Sequence, residues 1–128
     1  MKFTDDIINF FEDPSTATMI GTADSNGNID LECVTSIMVT ADDEITFPFF
    51  NNKCKTVQNI KKNKYVSIAM VQPPVVGYKC NGILKHIDTN VENSNRFANG
   101  TSKPSGIMVI RVTDIFALTM AISGQKIA

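Results

Sequence analysis

The spacing of apolar residues changes from a helical to a β period near residue 18. In residues 3–12 four apolar side chains recur at helical spacing, and Thr4 stands where it can cap the first turn. Asp13-Pro14 ends this pattern, because a residue before proline is disfavoured in the helical region. The pattern predicts a short amphipathic helix over residues 3–12, followed by β structure.

A β-hairpin is predicted in residues 18–39. Segments 18–24 and 29–39 flank an Asn-Gly turn, which is the strongest short signal for a hairpin. In the second segment apolar residues at 29, 31 and 33 alternate with Asp30 and Glu32. This alternation predicts a buried apolar side and a solvent-facing acidic side.

Further strands are predicted at residues 44–50, 64–71, 78–87 and 106–122, with short helices at 55–62 and 88–100. Pro48 cannot donate a ladder hydrogen bond, so we expect an edge or an end of pairing there. Gly82 inside its strand indicates a bulge or a close approach of another backbone. Six short strands without a βαβ alternation predict a mainly β fold, an antiparallel barrel, as one domain over residues 1–128.

Composition excludes several classes of protein. The chain has 128 residues, 43% apolar and 20% charged, which rules out disorder and collagen-like repeats. No apolar run approaches the roughly 18 to 20 residues that cross a bilayer, and the acidic start of the chain is unlike a secretory signal. We therefore expect a soluble cytoplasmic protein without a membrane partner. Three widely spaced cysteines and one histidine support neither a disulfide framework nor a metal site.

Charge is unevenly distributed although the net charge is only −1. Residues 1–44 contain ten acidic residues and one lysine, whereas residues 45–87 contain seven lysines and no acidic residue. This basic segment indicates either an anionic partner or neutralisation by the acidic third folded beside it. Charge alone leaves both interpretations open.

The start of the second predicted helix carries the most informative chemistry. A strand delivers Phe49 and Phe50, a loop follows, and Lys55 and Thr56 open the helix. Unpaired N–H groups, the helix dipole, a lysine and a hydroxyl together form a compact phosphate site. Surface helices also begin with Lys-Thr, so a solvated helix start stays open.

Other catalytic signatures are missing from the sequence. His86 is the only histidine, and neither a Gly-x-Ser-x-Gly elbow nor a phosphate-binding glycine loop occurs. No catalytic side chain is therefore predicted.

Thr35 and Ser36 interrupt an apolar strand, where hydroxyl groups need hydrogen-bond partners. The partner is either a neighbouring carbonyl or the polar edge of a planar ligand.

Short motifs follow one another in a recognisable order over about residues 3–122. They are Gly21-Thr22, Gly27, Lys55-Thr56-x-x-Asn59, Asn63 and Gly82. This order resembles the FMN-binding split barrels related to pyridoxamine 5′-phosphate oxidase. The resemblance implies a six-stranded split barrel that binds FMN noncovalently as a homodimer, with the flavin at the subunit interface. It also implies an FMN-dependent oxidoreductase or electron-transfer protein with a redox partner that the sequence leaves open.

The resemblance also implies a set of cofactor contacts. These are Val34, Thr35, Ser36, Phe50, Asn51, Asn52, Lys55, Thr56, Pro74 and Tyr78. Thr35 and Ser36 would line the isoalloxazine ring, and Lys55 with Thr56 would hold the phosphate. Pro74 and Tyr78 would reach the flavin from the neighbouring subunit.

Two departures from the oxidase pattern argue against pyridoxamine 5′-phosphate as the substrate. Residues 29–40 contain no arginine, and the chain ends in SGQKIA without an arginine motif.

Two further classes of function remain as alternatives. An OB-like binder of single-stranded nucleic acid would stack bases on Phe49, Phe50 and Tyr65, although the pI of 5.7 disfavours it. The other is a small-ligand or interaction barrel without redox chemistry.

Overall fold

The computed structural model describes residues 1–73, 76–90, 103–118 and 124–128. Its elements in chain order are α1 (Asp5–Glu12), β1 (Ala17–Ala23), β2 (Ile29–Val34), β3 (Met38–Ala41), β4 (Glu44–Phe49), α2 (Lys55–Lys62), β5 (Tyr65–Gln72), β6 (Val76–Asp88) and β7 (Gly106–Ala117). The helix predicted at 88–100 lies outside the described residues from residue 91 onward. The same holds for residues 119–122 of the last predicted strand.

The seven strands form one antiparallel sheet in the order β2-β1-β5-β6-β7-β4-β3. Its edge strands β2 and β3 are not hydrogen-bonded to each other, although β2 comes into contact with β4. The sheet therefore curls without closing. The predicted mainly β, antiparallel split arrangement is confirmed, with seven strands in place of six.

The additional strand arises because the predicted strand 29–39 is two strands. Ser36 has a φ of 59°, a left-handed conformation that is uncommon for a residue other than glycine. On either side of it the chain pairs differently, since β2 pairs with β1 and β3 pairs with β4. The prediction of one continuous strand was wrong at this residue.

Two predictions about single residues in the sheet are confirmed. Pairing between β3 and β4 ends at Thr46, so Pro48 pairs only with Ile107 of β7. At Gly82 the register of β6 against β7 shifts. A Cβ atom there would lie 2.7 Å from Cγ2 of Ile110 and 3.1 Å from the carbonyl oxygen of Arg111. Gly82 thus marks both an irregularity and a close approach of a neighbouring strand.

The two helices cover opposite parts of the curled sheet. Thr4 accepts a hydrogen bond from the N–H of Ile7 and caps α1, as predicted. α1 packs near β3, whereas α2 packs on β1 and β2. Neither helix in the described part of the chain is long and apolar enough to cross a membrane. The buried core side chains are Phe3, Ile7, Phe11, Ile20, Ile45, Phe47, Phe49, Val57, Ile60, Val66, Ile68, Met70, Cys80, Met108, Ile110, Val112 and Ile115.

A continuous apolar surface, called the outer face below, lies on the solvent side of β2, β1 and β5. Its positions are Ile29, Leu31, Cys33, Ala17, Met19, Gly21, Ala23, Tyr65, Ser67, Ala69 and Val71. No charged residue occurs among them. The side chains of Ile29, Leu31 and Tyr65 are 77%, 63% and 65% exposed.

The outer face corrects the prediction that the apolar side of β2 is buried. In the structure Asp30 and Glu32 are half-buried, while Ile29 and Leu31 face solvent. The reason is that α2 and β4 lie against the acidic side of β2. The alternation was correct, but the assignment of its two sides was wrong.

Candidate functional site

A cavity of about 590 Å³, called the site cavity below, opens between β2, β4 and the start of α2. Ile20, Phe47 and Met108 form a buried apolar floor, and Thr35 and Asn51 are exposed at a polar rim. The other lining residues are Glu32, Cys33, Val34, Pro48, Phe49, Phe50, Cys54, Thr56 and Lys103. An apolar cleft of this size with a few polar groups suits a small amphipathic ligand.

The structure brings half of the predicted cofactor contacts together at this cavity. Those lining it are Val34, Thr35, Phe50, Asn51 and Thr56. Ser36, Asn52 and Lys55 are their chain neighbours but do not line it. Tyr78 lies elsewhere, on β6, where its ring meets Phe10 of α1 edge-on with centroids 4.9 Å apart. Pro74 lies outside the described residues.

The first turn of α2 begins beside the site cavity without a side-chain cap. Cys54 occupies the N-cap position and makes no capping hydrogen bond. Asn51 orders the preceding loop, because its Oδ1 accepts from the N–H of Lys53 at 2.9 Å. The N–H groups of residues 55–57 have no hydrogen-bond partner within the described ranges. The helix start therefore offers free donors and a positive dipole end to an anion.

Two short motifs meet beneath α2 and hold the helix on the sheet. The side-chain amide of Asn59 donates to the hydroxyl of Thr22 at 3.1 Å, and both residues are buried. The hydroxyl of Thr56 donates to Oδ2 of Asp30 at 3.3 Å. The Gly-Thr motif of β1 and the Lys-Thr-x-x-Asn motif of α2 thus contact each other directly. These contacts fix where the first turn of α2 lies relative to the cavity.

The electrostatics of this region combine lysines with carboxylates from the β1–β2 hairpin. Asp30 and Glu32 share one side of β2, where Asp30 contacts Thr56 of α2 and Glu32 lines the site cavity. The pKa of Asp24 is lowered, first by hydrogen bonds from the side chain and backbone of Asn28 and to a smaller extent by the positive charge of Lys55. Both signs of charge therefore lie close to the start of α2.

Lys103 is a rim residue that sequence reasoning missed. It reaches the cavity because Ser105 ties the segment before β7 to the loop after β4. The N–H of Ser105 donates to the carbonyl oxygen of Phe49 at 2.8 Å, and the Ser105 hydroxyl donates to the carbonyl oxygen of Phe50 at 3.1 Å. No local sequence signal connects residue 103 with residue 50, since the contact is made by tertiary structure.

Glu32 and Cys54 were also missed, but the sequence carried a signal for each. Glu32 lies two positions before Val34, and residues two apart in a strand share one side. Cys54 immediately precedes the predicted helix start. The third cysteine of the chain, Cys80, is different: it is buried in the core, and burial raises the pKa of its thiol to about 12. Cys80 is therefore a packing residue rather than a reactive thiol.

Comparison with solved structures shows where this fold occurs elsewhere. The sequence matches no protein-family model and no curated protein. HupZ of Group A Streptococcus is similar with a TM-score of 0.80 at 23% identity, covering 94% of this chain and 98% of that chain. An FMN-binding protein of Syntrophomonas wolfei gives 0.73 at 17% identity, covering 88% and 84%. An F420 reductase gives 0.70 at 17% identity, covering 88% and 98%.

At these identities the comparisons establish the fold. A pyridoxamine 5′-phosphate oxidase-related, FMN-binding protein of Nostoc punctiforme is among the other structures that share it. The predicted resemblance to this group of split barrels is thus confirmed at the level of fold.

Proposed function

We propose that the site cavity binds FMN noncovalently and that the protein is a flavin-dependent oxidoreductase or electron-transfer protein. The observation that carries this proposal is the position of the cavity in a split barrel, beside the uncapped start of α2. Similar structures include proteins described as FMN-binding, which supports the choice of ligand. The F420 reductase makes a deazaflavin the second candidate.

The residues around the cavity fit the parts of a flavin mononucleotide. The apolar floor of Ile20, Phe47 and Met108 would hold the ring system. Thr35 and Asn51 at the rim would hydrogen-bond its polar edge, and the free N–H groups of residues 55–57 would receive the phosphate. A bound flavin supplies the electron transfer, while the protein contributes binding, orientation and electrostatics. No nucleophilic or acid–base side chain is required for this role.

The positive charge of Lys103 at the cavity supports the proposal that the ligand is anionic. It is an exposed cation at the rim of the cavity, opposite in charge to Glu32. A lysine at this place favours an anionic ligand and stabilises negative charge that a bound group gains on reduction. We expect Lys103→Ala to lower the reduction potential of the bound flavin, measured against a dye of known potential.

The test of the proposal is a flavin-binding titration. Wild-type protein is expected to quench FMN fluorescence with saturation, and acid precipitation should release the flavin into the supernatant. A colourless protein that binds neither FMN nor riboflavin nor a deazaflavin would refute the proposal and favour a barrel without redox chemistry.

The phosphate position is tested by Lys55→Ala, with Lys61→Ala as the matched control on the same helix. A charge-assisted hydrogen bond contributes roughly 1.5–3 kcal/mol, so FMN affinity should fall by about 10- to 100-fold in Lys55→Ala alone. Riboflavin lacks the phosphate and should bind both variants equally. Equal losses for FMN and riboflavin would place the phosphate elsewhere.

We further propose that the protein is a homodimer that pairs through the outer face. Eleven uncharged positions on three adjacent strands form this surface, and its largest side chains are mostly exposed in a single chain. A second copy would bury it, and β2 would then contribute Ile29 and Leu31 to the dimer contact and Glu32 and Val34 to the site cavity, with Cys33 at the border between the two. This arrangement agrees with a flavin that lies near the subunit interface.

Sedimentation at micromolar concentration tests the dimer. Wild-type protein should sediment as a species of twice 14.0 kDa. Leu31→Asp should sediment as a monomer, whereas Ile127→Asp, which changes an exposed apolar residue outside the outer face, should not. A wild-type monomer, or a dimer that survives Leu31→Asp, would refute this interface.

A further inference from the structure

Of the two side chains that the family resemblance assigns to the phosphate, that of Thr56 already donates a hydrogen bond to a carboxylate of this chain. Thr56 is only 4% exposed, and its hydroxyl donates to Oδ2 of Asp30 at 3.3 Å. The charge of Lys55 acts on Asp24, which lies at the other end of the same hairpin turn. The β1–β2 hairpin therefore places one carboxylate in hydrogen-bond contact with Thr56 and a second one within electrostatic reach of Lys55.

The position of Asp30 is fixed by the sheet rather than by a flexible loop. Asp30 pairs with Thr22 across β1 and β2, and Thr22 is held by Asn59 of α2. Its carboxylate is thus fixed below the first turn of α2, whose free N–H groups and positive dipole end attract anions. A carboxylate in this place is an internal anion at the start of the helix.

We propose that Asp30 is a specificity-determining residue that competes with the ligand phosphate for Thr56 and the first turn of α2. A phosphate bound at this turn lies next to a fixed like charge, and like charges at contact distance repel strongly at a half-buried site. The consequence is a site that distinguishes weakly between FMN and riboflavin. This inference rests on the proposed flavin site and adds to it a prediction about ligand preference.

The experiment measures the dissociation constants of FMN and riboflavin for wild-type protein and four variants. Asp30→Asn removes the charge and keeps a side-chain oxygen for Thr56, whereas Asp30→Ala removes both. Glu32→Gln makes the same charge change two positions along the same side of β2. Asp42→Asn changes the net charge equally at the β3–β4 turn, at the opposite end of β4 from the cavity.

We expect both Asp30 variants to bind FMN about 10-fold more tightly than wild type, with riboflavin affinity unchanged. Unchanged riboflavin affinity also shows that the variants are folded. Glu32→Gln should give a smaller gain and Asp42→Asn none.

Three outcomes would overturn the inference. An unchanged or weaker FMN affinity in Asp30→Asn would mean that the carboxylate does not oppose the phosphate. A loss confined to Asp30→Ala would make Asp30 a positioning residue for Thr56. An equal gain in Glu32→Gln would assign the effect to the general field of the hairpin. If wild-type protein binds neither flavin, it is the flavin proposal that fails, so the two failures are distinguishable.

Discussion

Replacing Thr22 by valine keeps the shape of the side chain but removes the only hydrogen-bond acceptor that the side-chain amide of Asn59 has among the described residues. The two residues are 2% and 3% exposed, so water cannot replace the lost partner without rearrangement. A buried donor left without its acceptor costs about 1–3 kcal/mol. For a domain of this size each 1 kcal/mol lowers the melting temperature by about 4 °C, which predicts a decrease of about 4–12 °C.

Thermal unfolding followed by circular dichroism measures this decrease. Thr18→Val is the matched control, because Thr18 is buried on the same side of β1 and its hydroxyl makes no hydrogen bond with any described residue. Its melting temperature should stay near that of wild type. The double variant Thr22→Val/Asn59→Leu removes both polar groups and should recover part of the loss.

Equal melting temperatures for Thr22→Val and Thr18→Val would refute the reasoning. They would mean that the contact between β1 and α2 contributes nothing to stability. The hydrogen bond between the Gly-Thr motif of β1 and the Lys-Thr-x-x-Asn motif of α2 would then need an explanation other than stability. An additive double variant would likewise show that Thr22 and Asn59 do not interact.

Three other predictions follow from single contacts. Gly82→Ala places a Cβ atom within 2.7 Å of a buried side chain and should destabilise the protein by about 1–3 kcal/mol, as measured by urea unfolding. Gly21→Ala is the control and should destabilise the protein less, because the nearest neighbour of its Cβ atom is the end of a leucine side chain at 3.3 Å. Burial opposes ionisation of Glu44, but hydrogen bonds from Lys85 and Thr40 outweigh it and hold its pKa below the usual 4.5. The stability that this carboxylate adds is therefore present above pH 4.5 and lost as the pH falls through the lowered value, so wild type should lose more stability on acidification than Lys85→Met. Cys80 should remain unlabelled by a thiol reagent at pH 8 until the protein is denatured, as peptide mass spectrometry would show.

Each of these predictions can fail in a definite way. Equal destabilisation by the two glycine substitutions would mean that β7 beside residue 82 shifts to accommodate a Cβ atom as readily as the Leu31 side chain does beside residue 21. Identical acid sensitivity in wild type and Lys85→Met would show that the ion pair does not stabilise the folded state. Labelling of Cys80 in the native protein would show that the core opens at this strand.

Local sequence patterns determined most of the elements and the start of the candidate site. The helix at 55–62 was predicted with its observed bounds, because its apolar spacing and its first residues are local properties. The hairpin, the one-sided pairing of Pro48 and the irregularity at Gly82 also depend on one residue type at one place. Phe50 and Asn51 reach the cavity because they end and follow the strand predicted at 44–50, and Thr56 reaches it because it lies in the first turn of the correctly predicted helix.

Only the tertiary structure decided which side of β2 is covered. Alternation along a strand shows that two different sides exist, but it does not say which one the rest of the sheet curls around. Here α2 packs over Asp30 and Glu32, and Ile29 and Leu31 are left exposed. The break at Ser36 was equally hidden, because a positive φ is imposed by the change of pairing partner rather than by the residue.

The same distinction applies to the residues of the site. Lys103 reaches the cavity through Ser105, which lies more than fifty residues after the loop that it contacts. The contact between Asp30 and Thr56 joins the hairpin to the helix start across 26 positions. A sequence read locally shows which chemical groups are available, whereas the curl of the sheet decides which of them meet.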